Sequence, residues 1–261
     1  MAQLLSITGR NRMPGRAGLP DVELMKIGTY NVHRCVGGDM RYSVERVARV
    51  IRELGCDTVG LQEVDNRPGA RTSSMQLERL AHATGMRAVA GNALALGDLY
   101  YGNALLTTRR IGAIRRYDLS VHGREPRAAL DVELLGGSQS VRVIVTHLGL
   151  RAAERRVQVR KLLTVIEGIP SECLVVVAGD INEWLPVSRP LRWLQGSLGE
   201  APRGRSFPVW APMLALDRIW ARAPGVLLTL QVHRSREARA ASDHFPVKAV
   251  VALWSRDARV S

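Results

Sequence analysis

One recurring unit constrains this chain more than any other feature. A short apolar, β-branched run is closed by a polar side chain and followed by a helical pattern or a turn. Residues 25–33 (MKIGTYNVH) and 58–64 (TVGLQEV) have this form, and so does 140–147. The run 174–177 (LVVV) is apolar throughout, which suits a strand buried on both faces. Between these runs, Ser43 precedes Val44, Val47, Ala48, Ile51 and Leu54, a spacing that predicts a helix capped by Ser43. A second helix is expected over 74–84, closed by Gly85, and a long basic one over 151–168. Extended segments are expected at 101–107 and 128–135, with Gly136-Gly137 turning the chain into 140–147, and again at 216–221, 226–232 and 245–253.

The stretch 185–212, rich in Pro, Gly, Arg and Trp, reads as an irregular surface excursion with one short helix. Trp184, Trp193 and Trp210 are expected to pack into the core, with contact to a membrane as the alternative. Strands and helices alternate without a linker, so residues 22–261 are expected to form a single domain after a flexible, basic lead-in over 1–21. That lead-in lacks the apolar stretch of a secretory leader. Cys35, Cys56 and Cys173 are too far apart for a zinc site and too few for a disulfide-stapled fold. They are expected to be small core residues in a reducing, cytoplasmic setting.

The formal charge of +13 predicts attraction to polyanions: nucleic acid, an anionic membrane surface, or a phosphorylated substrate. An aromatic content of 5% is thin for a single-strand binder built on base stacking. No obligate protein partner is indicated.

The polar residues at the strand ends are Asn31, Glu63, His147, Asp180, Asn182, Asp217, Asp243 and His244. Singly, an Asp or Asn after a strand is usually a turn former. Eight of them, each beside an apolar run, are hard to explain as turns, and the rims of layered α/β folds are where active sites gather. Phosphoester hydrolysis needs a hard cation, an activated water and neutralisation of transition-state charge. Mg²⁺ takes oxygen ligands, and Glu63 with a further Asp can supply them. His147 and His244 are the candidates for acid–base or phosphate-partner work.

TYNVH at 29–33, QEVD at 62–65, THL at 146–148, GDIN at 179–182, LDRI at 216–219 and SDHFP at 242–246 resemble the ordered motifs of the endonuclease/exonuclease/phosphatase superfamily. The resemblance implies a DNase I-like, four-layer α/β/β/α sandwich of two facing mixed β-sheets. It also implies Mg²⁺ as cofactor, with Mn²⁺ as a substitute, and a phosphoester as substrate. By motif match, Glu63 would be the principal metal ligand, with Asn31 and Asp243 completing the metal end. Asp180 would orient or deprotonate the attacking water, and Asn182 would hold it. His244, paired to Asp217, would be general base or phosphate partner. His147 would stabilise the transition state or protonate the leaving oxygen. Arg124, in a REP segment similar to the DNase I branch, would clamp substrate phosphate, and Asn103 would border the substrate.

The departures bear on substrate. TYNVH, QEVD and LDRIW differ from the stretches typical of abasic-site endonucleases, and His147 aligns with the DNase I, sphingomyelinase and inositol-phosphatase branches. The whole resembles small bacterial members of the superfamily. The expected substrate is a phosphodiester of lipid or small-molecule type. The alternatives are a DNase I-like endonuclease and a catalytically silent, polyanion-binding scaffold. Arginines with exposed apolar loops at the site's rim would favour lipid, and a basic band on both sides would favour a duplex.

Overall fold

The computed structural model describes residues 22–65, 75–96, 99–136, 139–223 and 225–254. The expected lead-in over 1–21 lies outside them, as does Gly137 of the expected hairpin turn. Two mixed sheets face each other. The first contains β1 (Val22–Asn31), β2 (Thr58–Asp65), β3 (Arg87–Leu96), β4 (Leu99–Thr107), β10 (Leu227–Val232) and β11 (Val247–Trp254), in the order β10-β11-β1-β2-β4-β3. The second runs β5-β6-β7-β8-β9 through Arg110–Asp118, Ala128–Leu135, Val141–His147, Leu174–Asp180 and Asp217–Arg222.

Three helices, α1 (Val44–Leu54), α2 (Gln76–Thr84) and α5 (Arg236–Ala241), cover the outer face of the first sheet. The outer face of the second is covered by α3 (Ala152–Glu167) and α4 (Arg189–Leu198). This is the expected four-layer sandwich.

Strand alternation divides the core between layers. In β7, Val141, Val143 and Val145 face the other sheet, while Ile144 faces the helices. The sheets approach closely at positions without a side chain. A Cβ at Gly60 of β2 would lie 2.9 Å from Val145 of β7. Glycine there lets the two central strands touch. Ser43 caps α1 as expected, its hydroxyl accepting from the Arg46 amide.

Several expectations needed correction. Strand β3 and the edge strand β5 were not foreseen, because Ala, Gly and Asn in β3 and three exposed arginines in β5 weaken the apolar alternation. Helix α5, at six residues, is too short to show a helical period. The excursion after Leu185 is better ordered than expected, since α4 buries Leu191, Leu194 and Leu198 in the outer core. Of its tryptophans only Trp193 packs partly inward; Trp184 and Trp210 are 48% and 76% exposed. Cys35 is buried, whereas Cys56 and Cys173 sit half-buried at the core margins. No helix among the described residues is long and apolar enough to cross a membrane.

Candidate active site

Parallel pairing places the ends of β1 and β2 side by side, with Asn31 opposite Gln62, and likewise β7 and β8, with His147 opposite Asp180. β9 runs antiparallel to β8, so its first residue, Asp217, is opposite Asp180. Asp243 and His244 immediately precede β11, which runs antiparallel to β1. All eight strand-end residues therefore meet at one end of the sandwich.

Local backbone distortion aims several of them. The β2–β4 register shifts between Leu61 and Val64, and Glu63 within that bulge has φ 57°. Asn182 has φ 51°. His33, Arg34 and Cys35, following Asn31, have φ values of 46°, 53° and 58°. Non-glycine residues in the left-handed region carry a cost, and such strain concentrates at functional sites.

Asp180 is the hub. Its Oδ2 accepts from Asn31 Nδ2 at 3.0 Å, and lies 3.6 Å from His147 Nε2 and 3.7 Å from His244 Nε2. Its Oδ1 accepts from the Asn182 amide at 3.0 Å. Asn31 Nδ2 also reaches Glu63 Oε1 at 3.1 Å, tying the two sheets together through one side chain. Asn31 Oδ1 meanwhile accepts from the His33 amide. Asp243, 37% exposed, stands 3.7 Å from His33 Nδ1. Glu63 and Asp243 offer carboxylate oxygens of the kind a hard divalent ion takes, and Asn31, whose Nδ2 faces Glu63 and Asp180, would add its oxygen only with its amide turned over.

A second trio, Asp180, Asp217 and His244, offers ligand atoms within 4.8 Å of one another. Its hydrogen bonding argues for an ion-pair network there. His244 Nδ1 is 2.8 Å from Asp217 Oδ2, which also accepts from the Ser206 hydroxyl at 2.5 Å. Burial opposes charge on His244, but the carboxylates of Asp217 and Asp180 outweigh it and push the pKa up to about 10. His244 Nδ1 and Asp217 Oδ2 are already engaged with each other, and Asp217 also with Ser206. Of the two sets, the oxygen set around Glu63 fits a hard divalent ion better.

His147 has the opposite character. Burial pushes its pKa down to about 3, with the Asp180 carboxylate only partly compensating. Asn182 Nδ2 donates to its Nε2 at 3.0 Å and to the Leu148 carbonyl at 2.8 Å, which assigns the ring proton to Nδ1. The two histidines thus have environments that drive them apart, one cationic and one neutral. Such divergence is characteristic of functional sites.

The two expected substrate contacts look different in the structure. Asn103 is buried and donates to the Ala128 carbonyl, with Oδ1 unpartnered. Arg124 is exposed in the turn before β6. Arg127, three residues on, is the buried arginine, paired to Glu125 with its Nε unpartnered, and its charge opposes protonation of His147. Sequence reading missed Arg127, the Ser206–Asp217 contact and the Ser242 hydroxyl that donates to the Asn31 carbonyl. Only Ser242, inside the SDHFP segment, carried any signal.

This constellation on this sandwich defines a phosphoester hydrolase, and the chain belongs to the endonuclease/exonuclease/phosphatase family, whose profile matches residues 28–244. It is 30% identical to the uncharacterized protein YbhP of Escherichia coli K12 over 254 residues, covering 87% of this chain and 96% of that one. Among solved structures, an endonuclease/exonuclease/phosphatase from Beutenbergia cavernae superposes with a TM-score of 0.70 at 22% identity, covering 89% of this chain and 72% of that one. The Bacteroides thetaiotaomicron mannosyl-6-phosphatase Bt3783 superposes with a TM-score of 0.69 at 16% identity, over 88% of this chain and all of that one.

Proposed function

We propose that the protein hydrolyses a phosphodiester of lipid or small-molecule type with Mg²⁺, Mn²⁺ substituting. The observation that carries this reading is the position of Asp180, whose carboxylate touches both Asn31 at the oxygen-donor corner and the two histidines. Glu63, with Asp243 and Asn31, would hold the ion, which supplies Lewis-acid polarisation of a phosphoryl oxygen. Asp180, between the two corners, orients the attacking water and takes up its proton. Asn182 spends both side-chain N–H groups on His147 Nε2 and the Leu148 carbonyl, which leaves its Oδ1 to accept from that water.

The charge states divide the remaining work. His244, cationic through its pairing with Asp217, serves better as a phosphate partner than as a base. Neutral His147, its Nε2 accepting from Asn182, positions that amide rather than delivering a stored proton. Apolar loop tips at the site's rim, including Leu150 and Trp184, favour a substrate with an apolar part. A nuclease reading draws on the exposed Arg110, Arg115 and Arg116 of edge strand β5.

The test is a Mg²⁺/Mn²⁺ panel of bis-p-nitrophenyl phosphate, phosphatidylglycerol-type lipid, inositol phosphates and plasmid DNA, with Glu63→Gln as the blank. Divalent-dependent turnover of the diester and the lipid, abolished in a folded Glu63→Gln protein, is expected. Turnover of plasmid alone would install the nuclease reading. Undiminished activity in Glu63→Gln would remove Glu63 from the metal corner.

A further inference from the structure

The exposed apolar side chains are unevenly placed. Leu150 (70% exposed) lies in the loop after β7, and Trp184 (48%), Leu185 (53%) and Val187 (78%) lie in the loop after β8. These loops carry on directly from His147 and Asn182. On the other flank, Trp210 (76%) and Met213 (62%) project from a segment whose Val209 amide donates to the Asp243 carbonyl and whose Phe207 ring lies 4.6 Å from that of His244. Apolar tips therefore stand on both sides of the site.

Leu150 and Trp184 belong to one rigid patch. Arg155 of α3 is buried, donates to the Leu150 carbonyl at 2.5 Å, and has its guanidinium 5.6 Å from the Trp184 ring. It is paired at 3.1 Å with buried Glu183, whose other oxygen accepts from the Leu185 amide. A buried ion pair so placed holds both tips in register, and loops held open against solvent in this way have a surface to meet.

The charge around the patch is one-sided. Exposed Arg151 follows Leu150, and exposed Arg189 and Arg192 follow Val187. Segments 148–154 and 183–192 contain two carboxylates, Glu183 and Glu154, both buried, the first paired with Arg155 and the second accepting from Gln158. Among the described residues, none of these three arginines has a carboxylate partner. Trp, Leu and Val tips flanked by unpaired arginines match the interface of an anionic bilayer, where the apolar groups enter the acyl boundary and the guanidinium groups meet phosphate.

We propose that Leu150, Trp184, Leu185 and Val187, with Arg151 and Arg189, form a docking surface that seats the mouth of the site on an anionic phospholipid bilayer. The biological sense of this surface rests on the amphiphilic-substrate reading above, but its test does not.

The full-length protein is floated with vesicles of phosphatidylcholine alone and of phosphatidylcholine with phosphatidylglycerol, and compared with Leu185→Asp/Val187→Asp and Arg151→Glu/Arg189→Glu. Hydrolysis of bis-p-nitrophenyl phosphate, expected to stay within about twofold of the parent, certifies that each variant is folded. The parent should partition onto the anionic vesicles, with a blue shift of tryptophan emission, and each variant should lose at least about tenfold in apparent affinity. Parent protein that stays off anionic vesicles while hydrolysing the soluble diester overturns the proposal. So does parent-like partitioning of both variants, or retention of the parent on duplex DNA but not on vesicles. Vesicle binding without lipid hydrolysis leaves the docking surface standing and removes the lipid substrate instead.

Discussion

Replacing Asp217 by Asn removes one charge and keeps the shape, so it isolates what that carboxylate does to His244. Raising an imidazole pKa from 6.5 to about 10 corresponds to roughly 5 kcal/mol of preference for the cation. The carboxylates of Asp217, Asp180 and Asp243 supply it, against the opposing cost of burial. Asp217 is in hydrogen-bond contact at 2.8 Å, and Asp180 is 3.7 Å away. The nearer one carries the larger share, so removing it should bring the His244 pKa down and shift the balance toward the neutral ring. If the reaction uses a cationic His244, Asp217→Asn should leave kcat/KM on a soluble diester near the parent's at pH 6 and lower it about tenfold or more by pH 9 to 10, where the variant's imidazole is mostly neutral.

The pH profile gives the sharper readout. Parent activity should show no alkaline loss traceable to His244 below about pH 9, because protonation persists up to its folded pKa of about 10. In Asp217→Asn the alkaline limb should move toward neutrality, with partial recovery as the pH falls. Measuring kcat/KM from pH 6 to 10 at saturating Mg²⁺ decides the matter. An unchanged profile, with kcat/KM within threefold of the parent, would show that the Asp217–His244 charge is not used. A variant faster than the parent at pH 8 would reverse the assignment, making neutral His244 the base.

Two further outcomes are expected. A Cβ at Gly179 would fall 1.9 Å from the Thr146 carbonyl oxygen across the β7–β8 pair, so Gly179→Ala should cost at least about 3 kcal/mol and lower the thermal midpoint by several degrees; an unshifted midpoint would mean that the strands part freely there. His147 refuses a proton when folded until the pH nears 3, whereas the unfolded side chain binds one near 6.5. Its contribution to stability is therefore present above pH 6.5 and lost as the pH falls toward 3. Denaturant midpoints of His147→Gln between pH 7 and 4 should fall less steeply than the parent's, and coincident curves would refute a buried neutral His147.

Much of the site could be read from the chain because each of its members closes a strand, and strands declare themselves locally through apolar runs. Glu63, Asp180 and His244 were visible for that reason. What escaped was whatever depends on distant segments meeting. Arg155 and Glu183 are 28 residues apart, and nothing in either neighbourhood foretells a buried pair. Arg124 drew attention through a three-residue motif, yet burial selects Arg127, which is a tertiary outcome. Trp184 and Trp210 were expected inside because large aromatics usually gain from burial. The strand ends beside them are already filled, by Asp180 and Asn182 in one case and by Asp243 and His244 in the other.

The pairing of the first strand with the last has a temporal consequence. β1 is flanked by β2 on one side and by β11 on the other, with Thr29 opposite Val247. Asp243 and His244, just ahead of β11, are therefore set in place only when nearly the whole chain is available. A ribosome-bound nascent chain can hold Asn31, Glu63 and even Asp180 without a working centre. Closing so long a loop is slow by the logic of contact order. The metal-side corner of the hydrolase is therefore completed only when β1 and β11 pair.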